Sequence, residues 1–255
     1  MLPYYGADIE FSLKNKTAII TGGAAGIGLA TAKFFAEKGA NVVLADLNPN
    51  ADVIAKELSG NCIGVPGDIT NKEYRQTVIN ETVKRFGIID ILVNCAGIVA
   101  LDDAEVLSEA MWDKTMEINV KASFMMAQAV GKYLIDNKRP GSIVNMASQA
   151  GVIALDKHVA YCAGKGAIIA MTKVMALEWG KYGIRTNCVS PTVVLTELGK
   201  KAWSGEVGEA FKKEMPSERF AEPDEIAGVV AFLCSNAAGM ITGHNLLVDG
   251  GFTIK

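Results

Sequence analysis

The sequence predicts an α/β protein built on one doubly wound sheet of about seven parallel strands, with helices on both faces. Three observations carry this. Short, near-continuous apolar runs alternate with longer helical patterns from one end of the 255 residues to the other. No linker or composition break divides them, so residues 1–255 are expected to form a single domain. A glycine-rich turn also joins the first apolar run directly to the first helix.

Taken in order, Lys16–Thr21 reads as a short buried strand, followed at once by Gly22, Gly23, Gly26 and Gly28. A helix then runs from Leu29 to Lys38, with its apolar face on Leu29, Ala32, Phe35 and Ala36 and its stop at Gly39. Asn41–Asp46 is the second strand and ends in a carboxylate. The remaining strands are Cys62–Pro66, Ile89–Asn94, Ser142–Met146, Arg185–Val189 and Asn245–Val248, with helical segments filling most of the gaps. The helix that carries Tyr161 and Lys165 is apolar nearly all round, through Ile168, Met171, Val174 and Leu177, so every side is expected to be covered.

Composition excludes several classes of function. A net charge of −3 with no basic run argues against a nucleic-acid partner. Five cysteines without a C-x-x-C spacing suit small buried hydrophobes in a reducing cytoplasm. Only His158 and His244 are available, so no histidine-rich metal site is expected. The first residues lack a basic stretch followed by an apolar one, and no eighteen-residue apolar run occurs, so neither a signal peptide nor a membrane span is expected.

The chemistry lies in two places. Strand, glycine turn and helix form a setting in which backbone can approach a pyrophosphate at a helix N-terminus. Asp46, about twenty residues on, suits the two ribose hydroxyls of an adenosine and repels a 2′-phosphate. No basic residue stands at Ala24, Ala25, Leu47 or Asn48, so NAD is expected rather than NADP. Tyr161 and Lys165, four apart, share one helix face. An ammonium roughly 5 Å from a phenol favours the phenolate by about 3 kcal/mol at an effective dielectric near 20, which moves a pKa of about 10 down by about two units. Such a tyrosine is suited to general acid–base work.

Together these residues resemble the short-chain dehydrogenase/reductase family, over nearly the whole chain from Lys16 to Gly251. Thr21–Gly28 matches the family's glycine turn, with Gly22, Gly26, Ile27 and Gly28 at the cofactor. Asp46 and Leu47 fall at the ribose, and Asp68 and Ile69 match the pair beside the adenine. Asn94-Cys95-Ala96-Gly97 resembles the family's Asn-Asn-Ala-Gly, with Asn94, Ala96 and Gly97 at the cofactor. Asn119, Ser148, Tyr161 and Lys165 fall on the catalytic tetrad. In the resemblance Tyr161 exchanges the alcohol proton, Ser148 holds the substrate oxygen, Lys165 also reaches the nicotinamide ribose, and Asn119 anchors a water relay.

The family's usual Pro-Gly after the sixth strand is Pro191-Thr192 here, which puts a side chain near the nicotinamide. The resemblance implies that Pro191, Val194 and Thr196 are the cofactor residues of that segment. The resemblance further implies a Rossmann-like sheet, an N-terminal arm over about residues 1–14, a substrate-covering segment over about 192–222, and a homo-oligomer, a tetramer before a dimer.

Gln149, His158 and Trp203, with Ser148 and Tyr161, form the expected substrate set and look like the L-xylulose reductase and polyol dehydrogenase branch, which also carries Pro-Thr-Val-Val. Gln and His can pair with vicinal hydroxyls while Trp covers the carbons of a short polyol. The expected activity is therefore NAD-dependent interconversion of a small polyol or diol with its ketone or ketose. A reductase of 3-oxoacyl thioesters is the alternative, and a non-catalytic NAD-sensing protein a remote one.

Overall fold

The structure is a computed structural model that describes residues 10–254. Strand β1 (Thr17–Thr21) leads into helix α1 (Gly26–Glu37), and β2 (Asn41–Asp46), α2 (Ala51–Lys56), β3 (Cys62–Pro66) and α3 (Lys72–Phe86) follow. Next come β4 (Ile91–Asn94), α4 (Glu109–Met116), a π-helical turn over Glu117–Ala122, α5 (Ser123–Asp136) and β5 (Gly141–Met146). A short 3-10 turn, Gln149–Gly151, precedes α6 (Val159–Trp179) and β6 (Ile184–Pro191). Helices α7 (Glu197–Ala202), α8 (Glu206–Glu214) and α9 (Pro223–Cys234) precede the last strand, β7 (Asn245–Val248).

The seven strands form one parallel sheet in the order β3-β2-β1-β4-β5-β6-β7. Three of the predicted strands have the observed bounds, and the others differ by a residue or two at an end. Chain direction across the sheet reverses between β1 and β4, which opens a crevice beyond their carboxyl ends. The register brings those ends level: Thr21 pairs with Ala45 and Asn94, Asn94 with Asn145, and Met146 with Val189.

Successive residues of each strand feed opposite layers. Ile20, Val42 and Leu44 pack with Phe35 of α1 and Val230 of α9. Ile19, Val43 and Leu92 pack on the other face with Val78 of α3 and Met126 of α5. All are fully buried, each worth about 1.5–3 kcal/mol of transfer free energy.

A smaller aromatic cluster joins α7 and α8 to the C-terminus. Trp203 lies 4.7 Å from Phe211 and 6.0 Å from Phe220, and Phe211 stacks on Phe252 at 4.6 Å. Ile153 and Leu155, just beyond the 3-10 turn, pack into the same cluster. Of the expected N-terminal arm, residues 1–9 lie outside the described residues. Residues 10–14 rest on the body of the chain: Leu13 is buried, Phe11 meets Phe232 edge-on at 5.5 Å, and Lys38 Nζ donates to the Glu10 carbonyl at 3.1 Å.

The expectation that α6 is covered on every side does not hold within one chain. Lys165, Ile168, Thr172 and Met175 are buried, but Val174 is 53% and Leu177 83% exposed. With the 3-10 turn after it, Val159–Tyr182 is long and apolar enough to cross a membrane by length and composition, with 39% of its most apolar window buried. That length was not evident from the sequence because Tyr161, Lys165, Lys173 and Glu178 interrupt the apolar run.

Candidate active site

The glycine turn closes on the segment after β4. Gly22 has a left-handed φ of +65°, and a Cβ there would lie 2.9 Å from the Ala96 backbone. At Gly28 a Cβ would fall 2.0 Å from the Gly22 carbonyl, so only glycine lets α1 start this close to the turn. Helix α1 therefore begins at Gly26, three residues before the apolar pattern that announced it. Its N-cap is Ala25, which carries no capping group, and its first turn holds no acid. The first N–H groups of the helix and its positive end are thereby left for an anion. Thr196, at the N-cap of α7, reaches over the same place, its Cγ2 being 3.3 Å from a Cβ built on Gly26. Ile27 is half-buried beside it.

At the end of β2 the Asp46 carboxylate accepts from the Ala24 N–H at 2.9 Å and from the Asn48 N–H at 2.8 Å, one on each oxygen. It braces the glycine turn, and each oxygen keeps a second lone pair for a hydroxyl. Leu47 is exposed beside it. Asp68, at the end of β3, accepts from the N–H and hydroxyl of Thr70, both at 2.8 Å, and Ile69 is half-buried. This cradle fits a dinucleotide: room that a Cβ would fill, an open helix N-terminus and a carboxylate one strand away.

Asn94 Nδ2 is turned inward, donating to Asn145 Oδ1 at 2.9 Å and to the Ser123 carbonyl at 3.1 Å, which ties β4 to β5 and α5. Its Oδ1 is buried with no partner among the described residues. The neighbouring Ala96 N–H is held by Thr21 Oγ1 at 3.2 Å.

The predicted tetrad converges from three places: the π-helical turn, the end of β5 and helix α6. Asn119 sits in the π-helical turn, and its amide pairs with both the N–H and the carbonyl of Ile98 at 2.8 Å. A Cβ on Gly97 would lie 3.1 Å from Asn119 Oδ1 and 3.9 Å from Lys165 Nζ, which sets these three side by side. Lys165 Nζ donates to the Met146 carbonyl at the end of β5, at 2.6 Å, and lies 5.4 Å from the Tyr161 ring centre. Ser148, just past β5, accepts from the Ala150 N–H at 3.1 Å and is hydrogen-bonded to Tyr161.

The electrostatics differ from the sequence expectation. Burial pushes the Tyr161 phenol up, opposed by the Ser148 hydrogen bond and reinforced by the Cys162 thiol. Lys165 does not pull the phenol below its ordinary value. Burial lowers Lys165 itself to about 8, and its ammonium is turned onto the Met146 carbonyl.

Of the predicted substrate residues, Gln149 adjoins Ser148 in the chain and His158 meets the Tyr161 ring, while Trp203 packs in the aromatic cluster of α7 and α8. Gln149 follows Ser148, is 2% exposed, and its Oε1 has no hydrogen-bond partner among the described residues. His158, at the N-cap of α6, stands edge-on to Tyr161 with ring centres 6.0 Å apart, and its Nδ1 lies 2.5 Å from the Asp156 carbonyl. Trp203 is half-buried and held by the aromatic cluster on α7 and α8. Pro191 ends β6, Val194 bridges to Ala221, and both are buried. Two positions that sequence reasoning did not assign also border the site: the Met146 carbonyl under Lys165, and Thr192, whose buried Oγ1 has no partner among the described residues. Only the break in the expected Pro-Gly pointed to Thr192, and nothing in a sequence marks a main-chain acceptor.

Comparison with known proteins gives the family. A family model described as enoyl-(acyl carrier protein) reductase matches residues 22–253. The chain is 52% identical to the NAD-dependent glycerol dehydrogenase of Listeria innocua over the full length of both. It is 49% identical to the D-threitol dehydrogenase of Mycolicibacterium smegmatis, over 97% of this chain and 96% of that one. The mouse (Mus musculus) L-xylulose reductase is 35% identical, over 96% and 99%. The solved structure of gox2181 superposes with a TM-score of 0.93 at 37% identity, covering 96% of this chain and 98% of that one. The chain belongs to the short-chain dehydrogenase/reductase family of oxidoreductases.

Proposed function

We propose that this protein is an NAD-dependent dehydrogenase that interconverts a secondary alcohol of a small polyol or vicinal diol with the corresponding ketone or ketose. The observation that carries the reading is Gln149: a buried amide oxygen with no partner among the described residues, directly after the serine that meets Tyr161. A buried acceptor left unpaired disfavours the fold unless a ligand supplies the donor, and a second substrate hydroxyl is such a donor. The half-identical glycerol and threitol dehydrogenases agree with that class of substrate. A 3-oxoacyl thioester brings no hydroxyl beside its reacting carbon, so that alternative leaves Gln149 unsatisfied.

In this reading Gly22, Gly26, Ile27 and Gly28 hold the pyrophosphate of NAD, Asp46 and Leu47 flank its ribose, and Asp68 and Ile69 its adenine. Asn94, Ala96 and Gly97, with Pro191, Val194 and Thr196, border the nicotinamide end. Bound NAD supplies the hydride acceptor and, when oxidised, a positive charge. Tyr161 takes the hydroxyl proton as the carbinol carbon gives up hydride, and returns it in reduction. Ser148 holds the reacting oxygen against the phenol, and both donors stabilise the charge that develops on it. Lys165 fixes the ribose and answers changes of charge on Tyr161, while Asn119 clamps the Ile98 backbone beneath it and anchors the water relay. Because burial raises the phenol, oxidation should speed up, and reduction slow, as pH rises above neutrality.

The chain is read as one catalytic domain over 1–255, with 192–222 as the segment that covers substrate. We also assign it a homo-oligomer, a tetramer before a dimer. A groove of about 590 Å³ between α5 and α6, lined by Phe124, Ile135, Met171, Val174 and Trp179, supports this together with exposed Leu177. A second copy laid there would cover the bare face of α6. All five cysteines are free, which suits the cytoplasm.

The test is a screen of C3 to C6 alditols and diols with NAD⁺ and NADP⁺, with a 3-oxoacyl thioester assayed in the reducing direction. Turnover of short polyols with NAD⁺ supports the reading. Turnover of the thioester alone overturns it.

A further inference from the structure

Thr192 is the first residue beyond β6, and its backbone cannot shift easily. Its N–H donates to the Val248 carbonyl of β7 at 3.1 Å. The next residue, Val193, accepts from the Ala221 N–H at 3.0 Å, and Leu195 donates back to Ala221 at 2.8 Å. The side chain is 9% exposed, and Oγ1 is buried with no partner among the described residues. Nearby Ser190 differs: its hydroxyl donates to Asn245 Oδ1 at 2.6 Å.

A valine would fill the same space without stranding a polar atom, and the chain places valine at the next two positions. Burying a hydroxyl unpaired disfavours a fold, so a hydroxyl at 192 fits a partner that arrives with a ligand.

Gln149 Oε1 is the matching atom in the turn that follows the adjacent strand, β5. Met146 and Val189 are paired in register, and Gln149 and Thr192 each lie three residues further on. The 3-10 turn that begins with Gln149 packs against β6. Five buried side-chain atoms lack a partner among the described residues, and of these Gln149 Oε1 and Thr192 Oγ1 are the two that follow the paired ends of β5 and β6; Asn94 Oδ1, Arg139 Nε and Thr186 Oγ1 lie elsewhere. The chemistry of Gln149 Oε1 and Thr192 Oγ1 is complementary to one group. An amide oxygen only accepts, whereas a threonine hydroxyl can donate, and an alcohol does both.

We propose that Gln149 Oε1 and Thr192 Oγ1 together form a second hydroxyl-binding point, which takes the non-reacting hydroxyl next to the carbinol carbon being oxidised. That hydroxyl donates to Gln149 and accepts from Thr192. The inference rests on the polyol reading above and adds Thr192 as a specificity-determining residue.

The experiment compares kcat/KM for butane-2,3-diol and for 2-butanol, with NAD⁺, in the unmutated enzyme, Thr192→Val and Thr192→Ser. NADH affinity is measured alongside by fluorescence titration. Thr192→Val should lower the diol-to-monoalcohol ratio roughly ten- to a hundredfold, with NADH affinity within about twofold, and Thr192→Ser should recover most of the ratio. If the ratio survives Thr192→Val in an enzyme that prefers the diol, the hydroxyl-binding point is wrong while the polyol reading stands. A weakened NADH affinity with an unchanged ratio overturns it too, by turning the hydroxyl toward the cofactor. An unmutated enzyme with no preference for the diol removes both.

Discussion

The two halves of the sheet treat their polar side chains differently. In the first half, around β1 to β3, the polar atoms at the carboxyl edge are already engaged: Asp46 holds two backbone N–H groups and Asp68 holds Thr70. In the second half, beyond β5 and β6, Gln149 Oε1 and Thr192 Oγ1 are buried without partners among the described residues. In the proposed reading the first half is preorganised around the cofactor, which does not change from one substrate to another, and the second half is completed by the substrate, so specificity is expected to reside there. Tyr161 and Lys165 stand at the seam, on a helix packed against β6.

The largest effect should come from the seam. Tyr161→Phe should lower kcat about a thousandfold or more, the upper range for one proton-transferring group, with NADH binding retained in a fluorescence titration. A variant that keeps a tenth of the original kcat would remove Tyr161 from the mechanism.

In the second half, Gln149→Ala and His158→Ala should each cost roughly ten- to a hundredfold in kcat/KM on short polyols and clearly less on 2-butanol. Equal losses on both substrates would show that these side chains shape the loop without reading hydroxyls.

The first half should respond in cofactor choice. NAD(H) should be preferred over NADP(H) by at least about tenfold, or roughly 1.4 kcal/mol, and Asp46→Ala should narrow that ratio. Because Asp46 also holds the Ala24 and Asn48 N–H groups, the same variant should lose thermal stability, which substitution of exposed Leu47 should not.

The smallest effect is one of linkage. Lys165 is lowered from 10.5 to about 8 by burial, so the unfolded chain binds the extra proton between those values and stability rises with pH through that window. The buried thiols run the other way, with Cys95 and Cys234 pushed up to about 12. Their contribution cancels when the enzyme is compared with Lys165→Met. Between pH 8 and 9 the unmutated protein should gain about 1 kcal/mol on that variant, roughly 2–4 °C in Tm. Parallel Tm profiles would mean that Lys165 is not held in its neutral form by burial.

The fold was legible because the central strands are buried on both faces and therefore spell apolar runs, as at Asn41–Asp46, which was read to the residue; the half-buried edge strand Cys62–Pro66 was read to the residue as well. The start of α1 was not, since Gly26 and Gly28 carry no helix signal and are held there by packing on Gly22. At the site, the side chains with distinctive chemistry, Tyr161, Lys165 and Ser148, stood out by type and spacing. Their charge states did not, because burial outweighs the neighbouring ammonium at Tyr161 and is a property of the packed fold. The inward turn of Asn94 depends on Asn145, fifty-one residues away, and no local pattern links the two.

The most direct test of the contrast is the substrate preference of the unmutated enzyme with NAD⁺: kcat/KM for butane-2,3-diol against that for 2-butanol. These substrates share the reacting carbinol and differ in the one hydroxyl that the second half of the sheet is built to receive. A diol preference of about tenfold or more is the expected result. Equal values, or a preference for 2-butanol, would contradict the account, because the buried oxygens beyond β5 and β6 would then have no part in recognition.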